Sequence, residues 1–211
     1  MPELPKLSPL DLAALIASRV CHDIISPVGA LANGLEVLEE EDSEEMKAFA
    51  MELIHKSAKT ASAKLKFCRI AFGASGSAGS SIDTGEAEEM VGLYMNSEKA
   101  EYTWEGSRSF VPKNRVKLLL NLLLISLGAI PRGGNVGVQI HGEGETATFT
   151  LRCVGPKARV PADFVDMMNG TVEGDITAHA VQPYYTVMLA QDCGLELGAV
   201  LEGEDVVFTA K

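Results

Sequence analysis

The sequence is poor in the residues that make disulfide scaffolds, metal centres and nucleic-acid binders. Its 211 residues include four cysteines, Cys21, Cys68, Cys153 and Cys193, too far apart for a CxxC pair or a metal-ligand cluster. Such usage fits a reducing compartment, so a cytoplasmic location and no metal are expected. Aromatic residues make up 6% and include one tryptophan, Trp104, which lies in a strand-like pattern and reads as core. Basic residues are outnumbered, 18 Lys and Arg against 29 Asp and Glu, for a formal net charge of −11. A polyanion binder needs a cationic face to release counterions, so no nucleic-acid partner is expected. The longest apolar run, Val116 to Ile130, is interrupted by Lys117, Asn121 and Ser126 and falls short of the roughly 20 residues that span a bilayer. The opening MPELPKLSPL lacks the basic and apolar regions of a signal peptide, and no membrane association is expected.

What is present reads as a globular chain, 46% hydrophobic and 22% charged, holding one large domain or two small ones. Leu10, Ala14, Ala17, Cys21, Ile24, Val28, Leu31, Leu35 and Leu38 alternate spacings of four and three, a heptad seam that predicts one long helix. Ser8-Pro9 supplies its N-cap and first turn. An acidic turn around Asp42 leads to a second helix capped by Ser43 and ending near Phe72. A hairpin of this length cannot bury its own seam, which predicts a homodimer with a four-helix bundle. The tract Gly73 to Ser81 is Gly, Ser and Ala throughout and reads as a linker. Beyond it, helices are expected over Glu86 to Asn96, Asn114 to Ala129 and Pro183 to Cys193. Strands are expected over Glu101 to Trp104, Asn135 to His141, Thr146 to Val154 and Val206 to Thr209. The fold class is α+β: an antiparallel helical hairpin over residues 1–74, a Gly/Ser linker over 75–81, and a second domain over 82–211 with helices against an antiparallel sheet.

His22 falls one position off the seam, so its imidazole should face solvent from mid-helix. Pro27 follows in the same helix, where it removes a backbone donor and crowds the carbonyl of Asp23; a kink beside the histidine is expected. A neutral imidazole is a nucleophile near physiological pH and can carry a phosphoryl group covalently. The other histidines, His55, His141 and His179, have no neighbouring ligand set in sequence and read as structural or solvated.

The segment His22-Asp23-Ile24-Ile25-Ser26-Pro27-Val28 resembles the H-box of the dimerising phosphoacceptor domain of sensor histidine kinases. The resemblance implies that His22 is the phosphoacceptor, that Asp23 assists its proton chemistry, and that Ser26 stands where some relatives orient a hydrolytic water. The segment Asn114 to Ser126 is similar to the N-box helix of their ATP-binding, Bergerat-type domain, but Ile125 stands where a magnesium-ligating asparagine belongs. A hydrocarbon side chain cannot ligate a hard cation. Cys153 occupies the place of the adenine-reading aspartate, ahead of Gly155. Tyr184 and Tyr185 occupy the place of the glycine-rich lid, where glycine would let the backbone approach phosphates.

A hairpin with an H-box joined to a degenerate ATPase-like domain resembles the ChpT-type histidine phosphotransferases of alphaproteobacterial cell-cycle phosphorelays. The resemblance implies a Bergerat-like α/β sandwich that has lost ATP binding, and no cofactor in this chain, with magnesium supplied by the partner receiver. It also implies partners: the receiver of a CckA-like hybrid histidine kinase, and CtrA-like and CpdR-like response regulators. Leu15, Ile25, Ser26 and Gly29 lie on or near the His22 face and would dock the receiver; Leu15 and Ile25 packing under the second domain is the other reading. An antiparallel hairpin turning at Asp42 sets residues 62 and 63 opposite His22, between Lys59 and Lys66. These lysines either meet the partner's acidic rim or form a solvated basic face. An ATP-dependent histidine kinase and a receiver-binding scaffold without transfer are the competing functions.

Overall fold

The computed structural model describes residues 4–73, 81–172 and 175–211. The expected linker lies outside the described residues except for Gly73 and Ser81. Helix α1 spans Pro9–Glu40 and α2 spans Glu44–Ala71. Both start as the sequence predicts: the Ser8 hydroxyl oxygen accepts from the Asp11 N–H at 3.1 Å, with Pro9 in the first turn, and Ser43 accepts from the Met46 N–H at 3.5 Å. Side-chain acceptors at these positions satisfy backbone donors that the helix itself leaves open. α1 continues through Pro27 to Glu40, and the Pro27 ring is buried, so packing offsets the lost hydrogen bond.

The hairpin closes tightly where Gly34 is buried against α2. A Cβ there would lie 2.7 Å from Ile54 Cγ1 and 3.4 Å from the Ala50 carbonyl oxygen. Counting back along both helices from this contact sets His22 level with about residue 64, within a residue or two of the expected level, and Lys64 borders the same cavity as Asp23. Much of the heptad seam faces outward. Leu10 is 79% exposed, Leu35 51% and Phe49 62%, and Val28 and Leu65 are about half exposed.

The remainder is β1 (Ser81–Asp83), α3 (Thr84–Met95), β2 (Ala100–Glu105), β3 (Phe110–Pro112), α4 (Lys113–Ala129), β4 (Gly134–His141), β5 (Thr148–Val154), α5 (Ala162–Asn169), α6 (Val181–Cys193), β6 (Leu197–Glu202) and β7 (Asp205–Ala210). β1 and β3 form a small antiparallel ribbon. The other five strands make one sheet in the order β2-β4-β5-β7-β6. The sheet is mixed, not antiparallel throughout: β2 runs parallel to β4, because the chain crosses over through α4 between them. β4 and β5 bury Val136, Val138, Ile140, Phe149, Leu151 and Cys153 on alternate positions, the period of a one-sided strand. α4 is apolar on every side because every side is covered: Val116 to Ser126 are all buried. β5 starts two residues later than expected since a 3₁₀ turn occupies Gly144–Thr146. α6 starts two residues earlier, with Pro183 in its first turn, where a missing N–H costs nothing. The ribbon, α5 and β6 were not expected; they are short, and their apolar residues show no sustained period.

Hairpin and sheet domain share one core. Phe67, Ile70 and Ala71 of α2 belong to the same buried cluster as Leu118 to Ile125 of α4. Asn121 Nδ2 donates to the Ala71 carbonyl at 3.0 Å and to the Lys117 carbonyl at 2.8 Å. α1 is also the one helix among the described residues long and apolar enough to cross a membrane, with mean hydropathy 1.3 over its best window. An ion pair between Arg19 and Asp23 sits mid-helix, where a bilayer would penalise it.

The close approach at Gly34 predicts that Gly34→Leu destabilises the protein by about 1–3 kcal/mol through overpacking. The check is a lower urea midpoint at unchanged slope.

Candidate functional site

α1 presents His22 with 73% of its side chain exposed, while Asp23 beside it is only 13% exposed. Asp23 is held by Arg19 one turn earlier, whose Nε donates to Asp23 Oδ2 at 3.1 Å. Its other oxygen, Oδ1, lies 3.6 Å from His22 Nδ1. That distance is too long for a hydrogen bond and short enough for a charge contact. Nδ1 thus faces a carboxylate held in place by Arg19.

α2 and α3 supply the floor of the site. Lys64 Nζ pairs with Glu98 Oε1 at 3.2 Å and stands 5.5 Å from the centre of the Tyr94 ring. Burial, reinforced by Glu98, Asp23 and Cys68, pushes the Tyr94 phenol well above its ordinary value. Burial and then Asp23 push the Cys68 thiol up to about 11.

The sheet domain supplies a wall. The turn ahead of α6 brings His179 to His22, ring centres 6.2 Å apart and planes at 77°. Arg19, Asp23, Lys64, Ile125, His179 and Gln182 border one cavity of about 370 Å³ between hairpin and sheet domain. His179 is the residue that sequence reasoning missed. It lies 157 positions from His22 in the chain, and no local pattern joins them.

The proposed docking residues divide. Ile25 is 70% exposed, and Ser26 and Gly29 are exposed beside it. A Cβ on Gly29 would meet nothing within 4 Å, so the approach to the backbone is open. Leu15 is half-buried and packs against the core cluster, the alternative reading of that residue. Lys59 and Lys66 do not border the cavity lined by Asp23 and His179. They line a separate groove of about 710 Å³ with Lys56, Leu93 and Asn96, and the lysine at the cavity is Lys64.

The residues in the nucleotide-site positions are packed into the core. Ile125 is 6% exposed, Cys153 fully buried and Tyr184 5% exposed. Tyr185 packs on Phe72 of the hairpin, ring centres 5.9 Å apart. Gly155 serves packing, since a Cβ there would lie 2.5 Å from the Gly133 carbonyl oxygen. Among the described residues, no group of three or more His, Cys, Asp or Glu side chains could hold a metal ion.

Comparison with known proteins follows the same outline. The family described as histidine phosphotransferase C-terminal domain matches residues 84–205. Protein phosphotransferase ChpT of Brucella abortus (strain 2308) is 52% identical over 206 residues, covering 97% of each chain. A solved structure described as a bacterial phosphotransferase is 51% identical and superposes with a TM-score of 0.91 over 99% of this chain and all of that one. A histidine kinase domain from Erythrobacter litoralis gives 16% identity and a TM-score of 0.49, over 87% of this chain and 94% of that one.

The thiol of Cys153 is pushed up to about 11 by burial, so near pH 8 it is almost wholly protonated and poorly nucleophilic. Cys153 and Cys68 should resist alkylation at pH 8 in the folded protein and react once it is unfolded in urea, as peptide mass mapping would read.

Proposed function

The chain belongs to the histidine phosphotransferase family, and we propose that it relays a phosphoryl group through His22 between receiver domains. The donor is the receiver aspartate of a hybrid histidine kinase, and the acceptors are response-regulator receivers of a cell-cycle phosphorelay. The observation that carries this reading is an exposed mid-helix imidazole whose Nδ1 faces a carboxylate held by Arg19.

In the forward step the lone pair of His22 Nε2 attacks phosphorus in line. The N–P bond forms as the bond to the receiver's carboxylate oxygen breaks, and that electron pair stays on the carboxylate. The ring keeps its Nδ1 proton and gains positive charge, which Asp23 offsets from 3.6 Å. The back reaction delivers the group to the next receiver. Such transfers depend on positioning and charge stabilisation more than on covalent help from the protein. Magnesium comes with the receiver. Ile125, Cys153 and Tyr184 favour a relay over a kinase, because a buried hydrocarbon, thiol and phenol replace an oxygen ligand, an adenine reader and a flexible lid.

The outward apolar face of the hairpin, Leu10, Val28, Leu35, Phe49 and Leu65, supports a homodimer. Exposed large apolar side chains at several levels of the hairpin suit burial against a second copy. Ile25, Ser26 and Gly29 leave room beside His22 for a receiver helix, and the basic face of α2, with Lys59 and Lys66, suits an acidic partner.

Radiolabelled ATP alone should not label the protein, a phosphorylated receiver should label it within seconds to minutes, and His22→Ala should abolish that labelling. Labelling from ATP alone would favour a kinase, and none from either source a scaffold. Ile25→Glu should lower the transfer rate at least about tenfold if one desolvated contact is lost and a charge is buried; an unchanged rate removes the docking face. Sedimentation should show a dimer at micromolar concentration, and a stable monomer there overturns the bundle.

A further inference from the structure

The relay chemistry assigned above uses no residue of the sheet domain, yet two features of that domain lie at His22 or on the cavity beside it. The first is His179, whose ring lies edge-on 6.2 Å from the His22 ring, centre to centre. A second imidazole therefore stands next to the His22 ring. The second is Gln182, the second residue of α6. It is 95% buried, borders the same cavity as Arg19, Asp23 and His179, and its Nε2 has no hydrogen-bond partner. A buried donor without an acceptor is destabilising, and together with the His179 imidazole on the same cavity it suits an anion.

We infer that His179 is a second catalytic imidazole of the transfer site, donating a ring N–H to an oxygen of the phosphoryl group as that group arrives at His22 and while it stays there. The inference rests on the relay reading. No proton changes hands in this role: the N–P bond forms at His22, the P–O bond to the receiver aspartate breaks, and His179 keeps its proton throughout. A neutral imidazole has one N–H to donate and a protonated one has two, so the contact exists in either form. Gln182 borders the same cavity as His179 and Asp23, and Asp23 is held there by Arg19. The sheet domain then contributes to the reaction a donor that the hairpin lacks.

The test compares wild type, His179→Ala and His179→Gln in single-turnover transfer from a radiolabelled phosphoryl-receiver domain, over a range of receiver concentrations. His179 is exposed, so the variants should fold, and circular dichroism checks that they do. His179→Ala should lower the saturating rate about tenfold in both directions, the worth of one charge-assisted hydrogen bond, with the half-saturating receiver concentration unchanged. His179→Gln, which keeps an N–H donor, should recover most of the loss. A wild-type saturating rate in His179→Ala overturns the inference, as does a defect confined to half-saturation, which would make His179 a docking contact. Glutamine as slow as alanine overturns the donor role. If wild type itself takes no label from the receiver, the relay reading falls and the inference with it; label on wild type separates the two failures.

Discussion

The join between the end of α2 and the side of α4 is the constraint on which the rest depends. A helix ends with carbonyls that have no partner of their own, and here the last one, on Ala71, is taken by the Asn121 amide of the sheet domain. Phe67 and Ala71 beside it are fully buried and Ile70 nearly so. Apolar burial worth roughly 25 cal/mol per Å² surrounds the hydrogen bond and excludes the water that would compete for it. The hairpin is therefore built into the sheet domain's core. That anchorage sets where α6 lies relative to α1, and with it the distance between His179 and His22.

The positions that the sequence likens to a nucleotide site serve the same anchorage. Here Ile125, Cys153 and Tyr184 are close-packed, and Tyr185 reaches across to Phe72 of the hairpin. Close packing of this kind keeps the sheet domain registered on the hairpin.

Charge follows a comparable division. The chain is acidic overall, but α2 concentrates its basic residues, six between Met46 and Phe72 against Glu52 alone. The fold then sorts them. Lys64 is drawn in to Glu98 and Tyr94 beside the cavity. Lys56, Lys59 and Lys66 stay on an open groove facing α3. One helix thus holds a fixed cation at the cavity and a solvated, screened set further away, the kind that affects encounter more than affinity.

The hairpin was legible because long helices announce themselves: the heptad spacing from Leu10 to Leu38, the caps at Ser8 and Ser43 and the motif around His22 are all local patterns. The alternation in β4 and β5 and the uniformly apolar α4 were legible for the same reason. The level of His22 on α2 was legible to within a residue or two; which lysine borders the cavity was not, because a turn centred near Asp42 does not say how two helices slide, and it is Lys64, not Lys59 or Lys66. Nor was the parallel pairing of β2 with β4, a property of the path between them. By itself the sequence determined which residues form helices and which imidazole faces solvent. Only the tertiary structure decided what that imidazole meets, since Asp23 is held by its own helix while His179 arrives from 157 residues away through packing that no local spacing encodes.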